Sequence, residues 1–207
     1  MKKVSAFFAL LFFTFLTFAQ NISMESICAE LSKNKITKGN FIQEKTITKT
    51  GKVLKSSGNF IFSESGILWA TEKPFPSTMI LGKDFMIQVS ADGTKKIMNA
   101  GGNEVFKNIS STLLAVFSNN VPALNDKFNI EFNTQKENWT VILKPKDSTV
   151  AAFMNSIVLN GNSSSAKTEI ISVELTEAKG NKVLYKFINQ THPEELTEDE
   201  KTFFDVK

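Results

Sequence analysis

The 207-residue sequence carries 24 basic and 21 acidic side chains for a formal net charge of +3, and every basic residue is lysine. With one histidine, His192, and one cysteine, Cys28, it cannot build an intramolecular disulfide, a Cys/His zinc cluster or a multi-histidine metal centre. The lack of arginine removes Arg-based readout of guanine and bidentate clamping of phosphate, and a Ser-His-Asp hydrolase could draw only on His192.

Met1-Lys2-Lys3 precedes an apolar run from Ala6 to Phe18, broken only by Thr14 and Thr17, and Thr17 and Ala19 place small residues before a cut after Ala19. These are the three regions of a signal peptide. The 13-residue run is too short to span a bilayer, which takes roughly 20 apolar residues. Cys28 lies too far beyond it to be a lipid-attachment site. Residues 1–19 are therefore expected to be removed, leaving a single exported domain over 20–207. Losing Lys2 and Lys3 takes the charge from +3 to +1, so net basicity is no argument for an acidic partner.

Asn21 to Ile36 reads as a helix, with Ile22, Ile27, Cys28 and Leu31 at near-helical spacing and Ser23 as a cap. Cys28 in that pattern is expected to be buried as a small hydrophobe. After Gly39 the period changes to two. Runs around Phe41 and Ile47, Phe60 and Phe62, Ile67 and Trp69, Met79 and Leu81, and Phe85, Ile87 and Val89 are separated by turn residues, among them Thr50-Gly51, Ser65-Gly66, Lys73-Pro74 and Asp92-Gly93. Asn103 to Asn119 breaks this meander with a broad apolar helical face. Strands resume at 128–132, 139–143, 153–159, 170–175 and 183–188, with a turn expected at Asn160-Gly161-Asn162. Thr197 followed by Glu200 reads as a capping box for a short terminal helix.

Ten or eleven such strands with two apolar helices describe a mostly β fold with helices. Its long antiparallel sheet curls and must fill its concave face with side chains, a helix or a ligand. Phe60, Phe62, Trp69, Met79, Leu81, Phe85, Ile87, Met98, Phe132 and Trp139 are the candidates for that face. They would form either an ordinary core or the wall of a cavity for flexible apolar ligands. The 103–119 helix, with Phe106, Leu113 and Phe117 on its inner face, would be a core helix or a lid. The carboxylates lie beside turns or in the acidic tail from Pro193, without calcium-loop spacing, so no enzyme and no metal or other cofactor is expected.

The ordered segments Gly39-Asn40-Phe41-Ile42-Gln43, Ser56-Ser57-Gly58-Asn59-Phe60, Gly66-Ile67-Leu68-Trp69, Lys73-Pro74 and Ile80-Leu81-Gly82 resemble the periplasmic outer-membrane lipoprotein carrier (LolA-like) family. The resemblance implies an incomplete antiparallel β-barrel of about eleven strands covered by a helical lid. It implies a monomeric periplasmic carrier whose cavity shelters acyl chains between an inner-membrane exporter and an outer-membrane acceptor, with no nucleic acid bound and no membrane span. Phe41, Phe60, Phe62, Trp69, Met79, Leu81 and Phe85 fall on or beside its cavity-lining strands, and Ile87 continues that set. In the main carriers an arginine before the Trp strand ties lid to barrel; here the segment reads Ser63-Glu64-Ser65-Gly66. Ser56 to Phe60, Leu68-Trp69 and Glu72-Lys73-Pro74 look more like the divergent branch linked to export of aryl-polyene or flexirubin pigments, where the cargo is a pigment-bearing lipid. A non-catalytic envelope sensor or scaffold of the same fold, touching a membrane protein partner, is the alternative.

Overall fold

The computed structural model describes residues 22–82, 85–98, 111–112 and 114–204. The first helix, α1 (Met24–Leu31), is shorter than expected. The Ser23 hydroxyl accepts from the Ser26 N–H while the Ser26 hydroxyl accepts from the Ser23 N–H, a reciprocal cap that fixes its start. Lys33-Asn34-Lys35 then turns the chain, so the β-branched pair Ile36-Thr37 opens a strand instead of extending the helix.

Six strands follow in a meander: β1 (Ile36–Ile47), β2 (Lys52–Ser63), β3 (Gly66–Lys73), β4 (Ser77–Leu81), β5 (Met86–Ser90) and β6 (Lys95–Met98). Only part of the expected 103–119 helix falls among the described residues. Those at 111–112 and 114–117 are helical and are termed α2. Then come α3 (Val121–Lys127), β7 (Phe128–Gln135), β8 (Asn138–Pro145), α4 (Ser148–Ala151), β9 (Met154–Ser163), β10 (Thr168–Glu177), β11 (Lys182–Thr191) and α5 (Glu198–Phe204). The caps of α3 and α4 are side chains of Asn120 and Asp147, signals present in the sequence beside Pro122 and Ser148. Asn160-Gly161-Asn162 is not a turn, because β9 runs straight through it. Gly161 is there for space: a Cβ would overlap the Trp139 ring and the Glu169 carbonyl oxygen.

Among the described residues the eleven strands form one antiparallel sheet in the order β6-β5-β4-β3-β2-β1-β11-β10-β9-β8-β7, with β6 and β7 at its edges. Two meanders are thus fused at the β1–β11 pair, where Phe41 lies opposite Phe187 and Gln43 opposite Tyr185. The fold is the expected incomplete barrel, mostly β with helices.

Strand alternation divides the apolar residues between two cores. On the inner face, Phe41, Phe60, Phe62, Ile67, Trp69 and Met86 pack with residues of β7–β11 beneath α1, α2 and α3. On the outer face, Ile36, Ile61, Leu68, Ile80 and Ile87 are covered by Leu196 and by Phe204 of α5. The tail fastens there through Lys38, whose ammonium donates to both Glu200 oxygens at 2.7 and 2.8 Å. The expected capping box of α5 is present: the Thr197 N–H donates to Glu200 Oε2 and the Glu200 N–H to Thr197 Oγ1.

Candidate functional site

The inner face is built around an aromatic cluster. Phe41 stacks on Trp69 with ring centroids 4.3 Å apart, Phe60 lies 4.9 Å from Phe62, and Phe62 lies 5.2 Å from Phe117 of α2. Strand β2 and the β3 residue Trp69 supply one side, and β11 supplies the other. Tyr185 meets Trp69 edge-on at 5.1 Å, and Phe187 meets Phe60 edge-on at 5.0 Å. Offset and edge-to-face contacts of this kind add about 0.5–1.5 kcal/mol each beyond area burial. Burial, with the Glu177 charge adding, pushes the Tyr185 phenol well above its ordinary pKa.

Of the eleven residues expected to bind ligand, Phe41, Phe60, Phe62 and Trp69 are buried together here, with Met79, Leu81 and Phe117 half-buried against them. Phe106 and Leu113 lie outside the described residues. Phe85 and Ile87 are corrected: they belong to the outer-face core, under the C-terminal segment. The register explains why. Leu81 pairs with Met86 and Ile80 with Ile87, so Met86 takes the inner side and its neighbours Phe85 and Ile87 take the outer one. The apolar run Phe85-Met86-Ile87 offered no alternation from which to read this. Tyr185 and Phe187 were missed as partners of the cluster. Their alternation with Val183 was legible, but their place beside Phe41 depends on a strand pairing across some 145 residues of sequence.

At one end the cluster borders a cavity of about 410 Å³ between the end of α1, the start of β1, the end of β2 and α2. Phe62, Leu114 and Phe117 form its apolar floor, and Ser32, Asn34, Lys35 and Glu64 are among its polar residues. The volume falls within the range of about 300–1,000 Å³ that small-molecule pockets occupy. Outside the cavity lining, two buried polar atoms, Thr112 Oγ1 and Trp139 Nε1, have no hydrogen-bond partner among the described residues. Leaving such a group unpaired costs about 1–3 kcal/mol.

Thr37 Oγ1 is 3.1 Å from His192 Nδ1, and His192 Nε2 is 3.8 Å from Glu169. The second distance exceeds a hydrogen bond, so the trio lacks the close base–orienter contact of an activated nucleophile. It brings the start of β1 beside the start of β10 and the end of β11. No group of three or more His, Cys, Asp or Glu side chains fit to hold a metal occurs among the described residues.

An open, helix-covered antiparallel half-barrel with an aromatic inner face is the class of protein that these features define. The chain belongs to the family described as outer membrane lipoprotein carrier protein LolA, whose model matches residues 32–203. Similar solved structures include a DUF1329 family protein from Desulfovibrio piger, 9% identical, covering 88% of this chain and 95% of that one with a TM-score of 0.49. A LolA superfamily protein from Nitrosomonas europaea is 6% identical over 86% of this chain and 96% of its own, with a TM-score of 0.46. No curated protein matches the chain.

Proposed function

We propose that this protein is a periplasmic carrier that shelters the acyl chains of a lipoprotein or lipid, taking them from an inner-membrane exporter to an outer-membrane acceptor. Family membership over residues 32–203 supports this reading. The observation that carries it is the cavity floored by Phe62, Leu114 and Phe117, continuous with the aromatic cluster. Acyl chains gain about 0.8 kcal/mol per methylene on leaving water, so a greasy floor beneath a helix is the chemistry such a cargo requires. The role is non-catalytic: the floor supplies apolar surface, and Lys35 with the nearby hydroxyls offers polar partners to a headgroup. No helix among the described residues is long and apolar enough to cross a membrane, in keeping with a carrier that moves between membranes. Pigment-bearing lipid of the aryl-polyene or flexirubin type is the second cargo that the reading admits.

The test is to secrete residues 20–207 into a bacterial periplasm, purify without detergent and record native mass spectra. A bound mass that releases an acylated peptide or a pigment lipid on denaturation is expected. Phe117→Asp, at the half-buried edge of the floor, should lower uptake of a fluorescent fatty acid about tenfold or more. Ile87→Ala on the outer face should destabilise the fold by about 2–4 kcal/mol and leave uptake by the folded protein unchanged. A clean apo mass with no fatty-acid uptake would sink the carrier reading. It would favour the sensor or scaffold instead, for which the close packing of Phe41, Phe60 and Trp69 is the supporting observation.

A further inference from the structure

The sheet has two unlike ends. At the end opposite the cavity, β2 outruns β3: Ser57 pairs with Lys73, so Lys52 to Ser56 are held by β1 alone and have no strand on their other side. On this projecting arm Val53 and Leu54, one on each face, are 46% and 47% exposed. Beside it, in the β3–β4 turn, Phe75 stands between Pro74 and Pro76 and is 80% exposed. An aromatic side chain so exposed, braced by two prolines, gains nothing from the fold that presents it.

The charges around these apolar tips that stand outside ion pairs are mostly lysines. The ion pairs at this end are Lys45–Glu177, Lys55–Glu44, Lys182–Glu174 and, at 3.9 Å, Lys186–Glu44. Lys49 and Lys52 of the hairpin, Lys73 before the turn, and Lys95 and Lys96 of edge strand β6 are exposed and stand outside those pairs. Against these five lysines the β2–β6 part of this end carries Glu72, hydrogen-bonded by Asn59, and Asp92, whose oxygen accepts the Thr94 N–H within its own turn; across the sheet the same end also holds Asp126 and Asp147, beside Lys127 and Lys146. The acidic residues Glu194 and Glu195 lie at the other end, beside the 63–65 turn.

We propose that this end of the sheet, with Phe75, Val53 and Leu54 as apolar tips among unpaired lysines, docks on an anionic phospholipid surface. Charge complementarity selects the occupant. Lysines near an anionic leaflet are drawn to it and screened by salt, while short apolar side chains anchor at the headgroup boundary. The docking is peripheral and reversible, and it sets the molecule upright on the bilayer with the cavity end away from it. The inference does not depend on the carrier reading, because an empty or packed cavity would leave this surface unchanged.

Flotation of the purified secreted protein with phosphatidylcholine vesicles, with and without 30% phosphatidylglycerol, tests it. Binding to the anionic vesicles alone is expected, and it should fade between 50 and 500 mM salt. Phe75→Ser, and separately Lys95→Glu with Lys96→Glu, should each weaken it about tenfold while circular dichroism and fatty-acid uptake stay as in the parent. Equal binding to neutral vesicles, absence of binding, or unchanged binding by both variants would overturn the proposal. Loss of vesicle binding by Phe117→Asp with Phe75→Ser unaffected would also overturn it, because contact would then run through the cavity.

Discussion

Gly161 and Cys28 show how tightly single positions are held. Gly161 sits on β9 under the indole of Trp139, and any Cβ there overlaps that ring and the Glu169 carbonyl. Gly161→Ala should therefore cost about 1–3 kcal/mol, read as a lower urea midpoint. Cys28 is fully buried on α1, and burial, aided by the Glu25 charge, pushes its thiol up to about 11 from 9.0. The native protein should resist a thiol reagent at pH 8 and react only when unfolded. The linkage has a definite sign: the folded form holds its proton longer, so the stability this group contributes is intact below about pH 9 and is lost as pH rises toward about 11. Helical spacing made the burial of Cys28 legible. The reason for Gly161 was not, since Asn-Gly-Asn has a turn's composition and only the indole of another strand reveals its use.

Among elements, α5 is the one whose role is newly defined. Its cap was readable from Thr197 and Glu200, but its docking site was not, because the outer-face residues Ile36, Ile61, Leu68, Ile80 and Ile87 come from five separate strands. Burial opposes ionisation of Glu200, but hydrogen bonds from Lys38 and the Thr197 N–H, with the Lys38 charge, outweigh it and hold the carboxyl below its usual range. The fastening is present above the ordinary carboxylate pKa and is lost as pH falls through the lowered one. The hydrogen-exchange protection factors of residues 198–204 should fall only once the pH drops below the ordinary carboxylate range. Glu200→Gln should give the same loss of protection at neutral pH, seen as faster exchange than in the parent, with global stability changed by about 1 kcal/mol or less. An unchanged exchange rate would mean that Leu196 and Phe204 alone hold the tail. The strands themselves were mostly legible from their period of two; what failed was the face assignment of Phe85 and Ile87, where three consecutive apolar residues leave the parity open.

For the whole molecule, composition and turn spacing were enough to foresee a curled antiparallel sheet with helices on it. The pairing of β1 with β11 was not legible, because hydrophobic periodicity describes each strand and says nothing about which distant strand lies next to it. That pair has the greatest structural weight: it joins the two meanders and completes the aromatic cluster through Tyr185 and Phe187. A chain truncated after Gly180 should lose both halves together, seen as loss of sheet signal in circular dichroism. A folded residue 36–98 meander surviving alone would show instead that the halves are independent.

The placement of β11 also orders events in time. The strand that is synthesised last sits in the middle of the sheet, with β1, among the earliest, on one side and β10 on the other. Until Lys182 to Thr191 is in place, each meander ends in an unpaired strand edge and half an aromatic cluster. A chain threaded N-terminus first through a narrow pore thus cannot complete its fold while its C-terminus is still behind. Its two exposed edges must find the same late strand before they find another molecule.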